Sequence, residues 1–197
     1  MEKIKQIAVY AASSELVPET YFEATKIIGQ QLAEAGIKVI YGGGGSGLMG
    51  ALADSVLENK GIIKGIIPDF MIEVEWQHQS LTELEVVKSM SERKMKFLEG
   101  TDAVLALPGG TGTLEELLEV ITLKRLGIYQ GRIVIFNHLE FYAPLLAMLK
   151  KCILEKFMSP MHRNIWDVIS EPFDLISVLH NGENWNVSHL KDAKFKK

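Results

Sequence analysis

The segment LALPGGTGTLEELLEVIT (105–122) concentrates the residue types most able to do chemistry in this chain. It places three glycines, a proline and two adjacent glutamates, Glu115 and Glu116, between an apolar run and an amphipathic run. Glycines let the backbone approach a ligand closely, and a helix start offers free N–H groups at the positive end of its dipole. One junction therefore offers a helix cap, a backbone cradle for an anion such as phosphate, and spare carboxylates.

A structural explanation accounts for only part of this segment. Thr113 and Glu116 have the spacing of a capping box, with Thr113 as the cap and Glu116 reaching back to it. A capping box does not explain Gly109, Gly110 and Gly112 together, because the start of a helix needs at most one unusual backbone angle. We therefore expect a ligand at this loop.

An earlier glycine-rich loop, YGGGGSGLMG (41–50), also precedes a predicted helix. Its second half matches the dinucleotide pattern G-x-G-x-x-G, but that pattern normally follows the first strand and needs an acidic residue about 20 positions later. Asp69 stands near that place, after a proline. A phosphate loop, an NAD site and a simple tight turn all remain open. The candidate residues of this loop are Gly43, Gly44, Gly45, Ser46, Gly47 and Met49.

A pair of basic residues, Arg93 and Lys94, falls near the start of a predicted helix. Cations there oppose the helix dipole, by about 0.3–1 kcal/mol each at the surface. Ser89 or Ser91 could cap that helix, and Glu92 would soften the repulsion. A bound anion would make the two cations favourable, whereas two solvated side chains are the plain alternative.

Apolar runs and amphipathic runs alternate along the whole chain, which predicts an α/β fold: a Rossmann-like, three-layer arrangement with a parallel sheet covered by helices on both faces. We interpret residues 1–197 as one domain, with ligands bound beyond the carboxyl ends of the strands. Region 69–83 reads as polar and irregular. The predicted strands are 6–11, 38–43, 62–68, 84–89, 103–108, 132–137 and, weakly, 165–169, and the predicted helices are 20–36, 47–61, 90–100, 113–127, 142–157 and 172–180.

Composition excludes several classes of function. The 197 residues carry a net charge of −4, which argues against a nucleic-acid-binding protein. Cys152 is the single cysteine and the five histidines are scattered, so we expect no disulfide and no metal site. Apolar runs are too short for a signal peptide or a membrane span, so we expect a cytoplasmic protein without a membrane partner, and a mobile tail from about residue 181.

The two glycine loops and the basic pair, in this order, resemble the LOG-type proteins. These are the cytokinin riboside 5'-monophosphate phosphoribohydrolases, long labelled lysine decarboxylase-like. The hallmark P-G-G-x-G-T-x-x-E stands at 108–116 and the R-K pair at 93–94. The earlier stretch G-G-G-x-x-G-L-M-G stands at 43–50, where it lacks one intervening residue unless Gly42 is included in the alignment. The resemblance runs from about residue 5 to 180. It departs at Ala11 and Ala12, where many relatives have Cys-Gly.

The resemblance implies a Rossmann-like dimer whose subunits share residues around their active sites. It implies hydrolysis of the N-glycosidic bond of a nucleoside 5'-monophosphate without a cofactor, and it assigns Arg93 and Glu116 as catalytic. Decarboxylation of lysine normally takes a pyridoxal cofactor, for which the sequence has no specific signature. The substrate-contacting positions by resemblance are Glu75 (with Glu73 close by), Lys94, Gly109, Gly110, Thr111, Gly112, Thr113, Leu114, Glu115 and Thr122.

The residues suggest how such a site would work. Glu116 would stabilise the positive charge that develops on the sugar, Glu115 would hold the ribose hydroxyls, and the amides of 110–113 would bind the 5'-phosphate. Arg93 would position the substrate or stabilise the departing base. A carrier that binds a nucleotide or cofactor without hydrolysing it is the alternative, and an NAD enzyme is a third. A surplus of apolar residues fits a dimer contact: Ile121, Leu126, Ile128 and Tyr129.

Overall fold

A computed structural model describes residues 4–72 and 77–182 of the chain. In this part of the chain, seven parallel strands form one sheet in the order β4-β3-β2-β1-β5-β6-β7. The α/β prediction with a parallel sheet is confirmed. The strands are β1 (Gln6–Tyr10), β2 (Lys38–Tyr41), β3 (Ile63–Pro68), β4 (Glu83–Val87), β5 (Ala103–Ala106), β6 (Arg132–Phe136) and β7 (Asp167–Ile169).

Helices cover both faces of the sheet, as the near-continuous apolar strands require. One face packs against α1, α2 and α7, and the other against α4, α5 and α6. Among the described residues, no helix is long and apolar enough to cross a membrane. The helices are α1 (Glu19–Glu34), α2 (Gly47–Glu58), α3 (Asp69–Ile72), α4 (Met90–Leu98), α5 (Thr111–Arg125), α6 (Ala143–Leu154) and α7 (Leu175–Asn181), with short 3-10 helices at His138–Glu140, Pro160–Asn164 and Pro172–Asp174.

The order of the strands creates a switch point at the centre of the sheet. The chain leaves β1 towards β2, β3 and β4, and then crosses back to place β5, β6 and β7 on the other side of β1. Connections that leave β1 and β5 in opposite directions open a crevice at their carboxyl ends, which is where such sheets bind ligands. Both glycine loops lie at this edge, because they follow β2 and β5.

The start of α5 differs from the prediction. The helix begins at Thr111 with Gly110 as its N-cap, and no side chain caps it. The predicted capping box of Thr113 and Glu116 is therefore wrong. Thr113 is instead a buried residue of the first helical turn, packed so closely against Gly109 that a Cβ on that glycine would overlap its hydroxyl.

Two other local predictions need adjustment. A short helix, α3, occupies the start of the region that reads as irregular from the sequence. Gly36, with φ of +67°, ends α1 as predicted, whereas the positive φ at the end of α2 belongs to Lys60. Gly61 is needed for space, since a Cβ there would lie 2.7 Å from Ala33. The predicted mobile tail falls on residues 183–197, outside the described residues.

Candidate active site

A pocket of about 550 Å³ lies at the switch point. One wall is polar and consists of Arg93, Glu115, Glu116 and the first turn of α5. The other wall is apolar. The residues that line the apolar wall are Met49, Ile67, Met71, Met90 and Phe97, and the ends of β1 and β2 add Tyr10, Ala11, Ala12, Ser13, Gly42, Gly44 and Ser46.

Arg93 is buried at the start of α4, and the alternative of a solvated basic side chain is wrong for it. Ser89 is the N-cap of this helix and accepts a hydrogen bond from the Glu92 amide at 3.1 Å. The guanidinium donates from Nε to the Ile66 carbonyl at 3.0 Å and from Nη2 to the Gly42 carbonyl at 3.2 Å. Burial lowers the pKa of Arg93, which the nearby Glu116 opposes.

Glu116 faces Arg93 from α5, with its Oε1 3.6 Å from the arginine Nη1. The two side chains are only 10% and 12% exposed. Burial raises the pKa of Glu116 to about 7, although the charge of Arg93 acts in the opposite direction. A carboxyl group that titrates near neutrality, next to a fixed cation in a cleft, is typical of a catalytic site.

Lys94 is held by two carboxylates of α5. Its Nζ lies 2.6 Å from Glu115 Oε1 and 3.1 Å from Glu119 Oε2, and these contacts raise the pKa of Lys94. This ion pairing also acts on Glu116, because Glu115 and Glu119 raise the pKa of Glu116 and Lys94 lowers it. Lys94 therefore limits the negative charge that surrounds Glu116.

The first turn of α5 is open towards the pocket. The amides of Thr111, Gly112 and Thr113 precede the first intrahelical bond, which runs from the Leu114 amide to the Gly110 carbonyl at 3.0 Å. A Cβ added at Gly110 or Gly112 would meet no atom within 4 Å. These two glycines leave room for a ligand rather than for a neighbouring part of the chain.

The first turn of α2, after the earlier glycine loop, is largely closed by the protein itself. The Met49 amide donates to the Ala12 carbonyl at 3.1 Å, and Gly47, with φ of +60°, packs against the backbone of Ser13. The Gly43 carbonyl accepts from the His78 amide at 2.8 Å. These contacts favour the structural interpretation of this loop, and they leave the start of α5 as the more accessible anion site.

The structure brings some of the sequence-derived candidates into the pocket and leaves others outside its lining. Thr122 is exposed on α5, where its hydroxyl donates to the Leu118 carbonyl at 2.9 Å. Glu75 and Glu73 lie outside the described residues. The candidates that line the pocket are Arg93, Gly110, Thr111, Gly112, Thr113, Glu115, Glu116, Gly44, Ser46 and Met49, whereas Lys94, Gly109, Leu114, Thr122, Gly43, Gly45 and Gly47 do not line it.

Apart from Met49, sequence reasoning missed the apolar wall. Met90 and Phe97 lie on the same helix as Arg93, and Ile67 follows Ile66, whose carbonyl holds the arginine, near the end of β3. Apolar residues at such places read as ordinary core residues. Only the position of each at the carboxyl edge of the sheet, next to the basic pair, could have singled them out.

Comparison with known proteins identifies the family of this chain. The family described as "Possible lysine decarboxylase" matches residues 49–179, which include the end of the first glycine loop, the whole of the second, and the whole of α4 and α5. The chain belongs to this family. The cytokinin riboside 5'-monophosphate phosphoribohydrolase LOG7 of Arabidopsis thaliana is 38% identical over 170 residues, covering 86% of this chain and 77% of the relative. Its homologue LOG3 of the same plant is 37% identical over 170 residues, covering 86% and 78%.

Solved structures of lower identity share the fold of this family member. The molybdenum cofactor binding protein of Rippkaea orientalis superposes with a TM-score of 0.67 at 18% identity, covering 91% of this chain and 98% of the other. The molybdenum cofactor carrier protein of Chlamydomonas reinhardtii superposes with a TM-score of 0.65 at 16% identity, covering 90% and 96%. At these identities the match establishes the Rossmann-like fold alone.

Proposed function

We propose that this protein hydrolyses the N-glycosidic bond of nucleoside 5'-monophosphates, with adenosine monophosphates, plain or N6-modified, as substrates. The products are the free base and ribose 5-phosphate. The observation that carries the proposal is the buried Arg93–Glu116 pair beside the open first turn of α5. The relatives named as phosphoribohydrolases, at 37–38% identity over most of the chain, support it.

The first turn of α5 is the proposed binding site of the 5'-phosphate. The free amides of Thr111, Gly112 and Thr113 and the positive end of the helix dipole all favour an anion. The open space at Gly110 and Gly112 allows phosphate oxygens to approach the backbone. This placement leaves the ribose between the phosphate-binding site and the carboxylates of Glu115 and Glu116.

Glu116 would act on the anomeric carbon. Cleavage of the C1'–N bond sends its electron pair to the base and leaves positive charge on the ribose, which an ionised carboxylate stabilises. Water adds its oxygen to C1', and its proton passes to Glu116 and from there to the departing base or to solvent. Glu115, on the exposed side of the same turn, would hold the ribose hydroxyls.

Arg93 would serve as a fixed cation between the carboxylate and the base. Its Nε and Nη2 already bond to backbone carbonyls, so Nη1 is the edge that faces Glu116. From there the guanidinium would position the substrate or stabilise negative charge on the departing base. Lys94 would compensate the negative charges of Glu115 and Glu119 through its ion pairs with them.

We further propose a homodimer with shared active sites, formed through exposed apolar residues. Ile121 and Tyr129 are buried in the chain's own core, so the prediction that they contribute to a dimer contact is wrong. Leu126 and Ile128, at the end of α5, are 49% and 69% exposed and remain candidates. Thr122 lies six residues beyond Glu116, about 9 Å along the helix, and a shared site would explain its match to a substrate-contacting position.

The alternative of a non-catalytic carrier has support only at the level of the fold, from structures below 20% identity. Binding of a phosphate at the start of α5 would not need a buried carboxylate with a raised pKa. The test is incubation of the purified protein with AMP and with N6-isopentenyl AMP, followed by chromatography for base and ribose 5-phosphate. Release of both products supports the hydrolase, whereas nucleotide binding without release would overturn it in favour of the carrier.

A further inference from the structure

We infer that Gly42 is a positioning residue for Arg93: the absence of a side chain at Gly42 creates the seat in which the guanidinium is held towards Glu116. The inference rests on the proposed catalytic role of this pair. Gly42 begins the earlier glycine loop, one residue before the candidate residues Gly43 to Gly47, and it has no role of its own in the proposed mechanism. Its position directly after β2 brings its backbone to the floor of the pocket.

The seat of Arg93 consists of backbone rather than of side-chain acids. Nε donates to the carbonyl of Ile66, within β3, and Nη2 donates to the carbonyl of Gly42, directly after the neighbouring strand β2. The Phe97 ring lies 4.9 Å below the guanidinium carbon. Two donors of the planar group are thus fixed in direction, and this fixes where the third nitrogen, Nη1, points.

Glycine is required at position 42 for space and not for its backbone angles. Gly42 is not among the residues with positive φ, so alanine could adopt its conformation. A Cβ at this position would overlap Nη2 of Arg93 and would lie 3.0 Å from Sδ of Met49. The flexible arginine side chain would have to leave the Gly42 carbonyl to make room for a methyl group.

Displacement of the guanidinium would separate it from its carbonyl acceptors and from Glu116. A buried cation without its carbonyl acceptors loses strong hydrogen bonds, so it would move towards solvent in the pocket. Nη1 would then no longer lie 3.6 Å from Glu116. A methyl group at position 42 therefore acts on the chemistry only through Arg93, and this dependence can be measured.

The experiment is a double-mutant cycle with Gly42→Ala, Arg93→Ala and the combined variant, with folding checked by circular dichroism. Two properties are measured: the pKa of the Glu116 carboxyl by carbon-13 NMR on the ligand-free protein, and kcat/KM for AMP hydrolysis. We expect Gly42→Ala to raise the Glu116 pKa and to lower kcat/KM at least tenfold. In the Arg93→Ala background, the same substitution should change kcat/KM less than twofold and should leave the Glu116 pKa unchanged.

A matched control separates a local effect from general destabilisation. Gly61→Ala also forces a methyl group into a filled space, 2.7 Å from Ala33 and 2.8 Å from Val56, where α1 meets α2. It should lower the melting temperature while leaving the Glu116 pKa and kcat/KM of the folded protein unchanged. A fall in kcat/KM of the same size in Gly61→Ala would overturn the assignment of a specific role to Gly42.

Other outcomes also decide the inference. Gly42→Ala with wild-type values of both properties overturns it, and so does an equal fall in kcat/KM with and without Arg93. If Gly42→Ala does not fold, Arg93→Lys decides, because one ammonium group cannot occupy both carbonyls and still face Glu116. If the guanidinium must bind both carbonyls, Arg93→Lys should have the same Glu116 pKa and kcat/KM as Arg93→Ala. Wild-type values of these two properties in Arg93→Lys would overturn the inference. If the wild type does not hydrolyse AMP, the proposed function fails, and the NMR cycle still tests the seat.

Discussion

Nη1 of Arg93 lies 3.6 Å from Oε1 of Glu116, and both side chains are almost fully buried at the carboxyl edge of the sheet. The two residues come from different helices, α4 and α5, which follow β4 and β5. Removal of a carboxylate from water costs free energy, and the guanidinium offsets only part of this cost, since the pKa of Glu116 stays raised to about 7. The pair is thus arranged for chemistry at the expense of stability.

Glu116→Gln should therefore leave the protein at least as stable as the wild type. The folded-state pKa of Glu116 is about 7, above its ordinary value of 4.5, so stability from this group is present below pH 4.5 and is lost as pH rises through 7. The variant should match the wild type at pH 4.5 and exceed it by up to about 3 kcal/mol at pH 8. Urea denaturation across this pH range measures the difference, and a variant less stable than the wild type at pH 8 would contradict the account.

The pH dependence of activity should follow the same group. Because ionised Glu116 is the reactive form, kcat/KM should rise as pH increases through about 7. Lys94→Gln should shift this rise in kcat/KM to higher pH, because Glu115 and Glu119 then raise the pKa of Glu116 without opposition from Lys94. Lys151→Gln, which loses only an exposed pairing with Glu155 directly after α6, is the control and should leave the rise at the same pH. A rise that does not shift in Lys94→Gln would argue against Glu116 as the titrating group.

Gly112→Ala should stabilise the fold and weaken nucleotide binding. The added methyl group meets no atom of the protein within 4 Å, and alanine is preferred to glycine in a helix by roughly 0.5–1 kcal/mol. The same methyl group would occupy the space proposed for the phosphate. Calorimetry should show at least tenfold weaker binding of AMP, with adenosine, which lacks the phosphate, affected much less. Equal loss for both ligands, or none for AMP, would place the phosphate elsewhere.

The proposed dimer surface can be tested by the introduction of charged residues. Leu126→Lys combined with Ile128→Lys places two cations on residues that are 49% and 69% exposed at the end of α5. Size-exclusion chromatography with light scattering should show the mass of one chain for this variant and of two chains for the wild type. Leu16→Lys, at a 95% exposed residue in the loop before α1, is the control and should remain dimeric. A dimer that survives the double substitution would place the contact on another surface.

The periodicity of the sequence predicted the sheet well, because strands buried on both faces are apolar throughout and contrast with their helices. Ala8 and Tyr10 pack on one face of β1 while Ile7 and Val9 pack on the other. The start of α5 was less predictable. Threonine is a common cap, but here Gly110 precedes the helix and Thr113 is buried.

The sequence predicted part of the lining of the pocket but not its electrostatics. The motifs in the sequence single out Arg93 and Glu116. The position of Arg93 in the sequence was also compatible with a side chain exposed to solvent. The burial of Arg93 depends on the Ile66 carbonyl of β3, 27 residues earlier in the chain, and on the Gly42 carbonyl just after β2, 51 residues earlier. No local pattern reports that a glycine at position 42 leaves space for a guanidinium, because the contact exists only after the sheet has formed.

The most direct test of the central claim compares wild type and Glu116→Gln for binding and for hydrolysis of the same nucleotide. Calorimetry would measure AMP binding, and chromatography would measure release of adenine and ribose 5-phosphate. Glu155→Gln, a change of the same type at an exposed residue directly after α6, is the matched control. The account predicts that Glu116→Gln binds AMP within a few-fold of the wild type and hydrolyses it at least 100-fold more slowly, a loss of about 2.7 kcal/mol in transition-state stabilisation. Hydrolysis by Glu116→Gln at the wild-type rate would contradict the account.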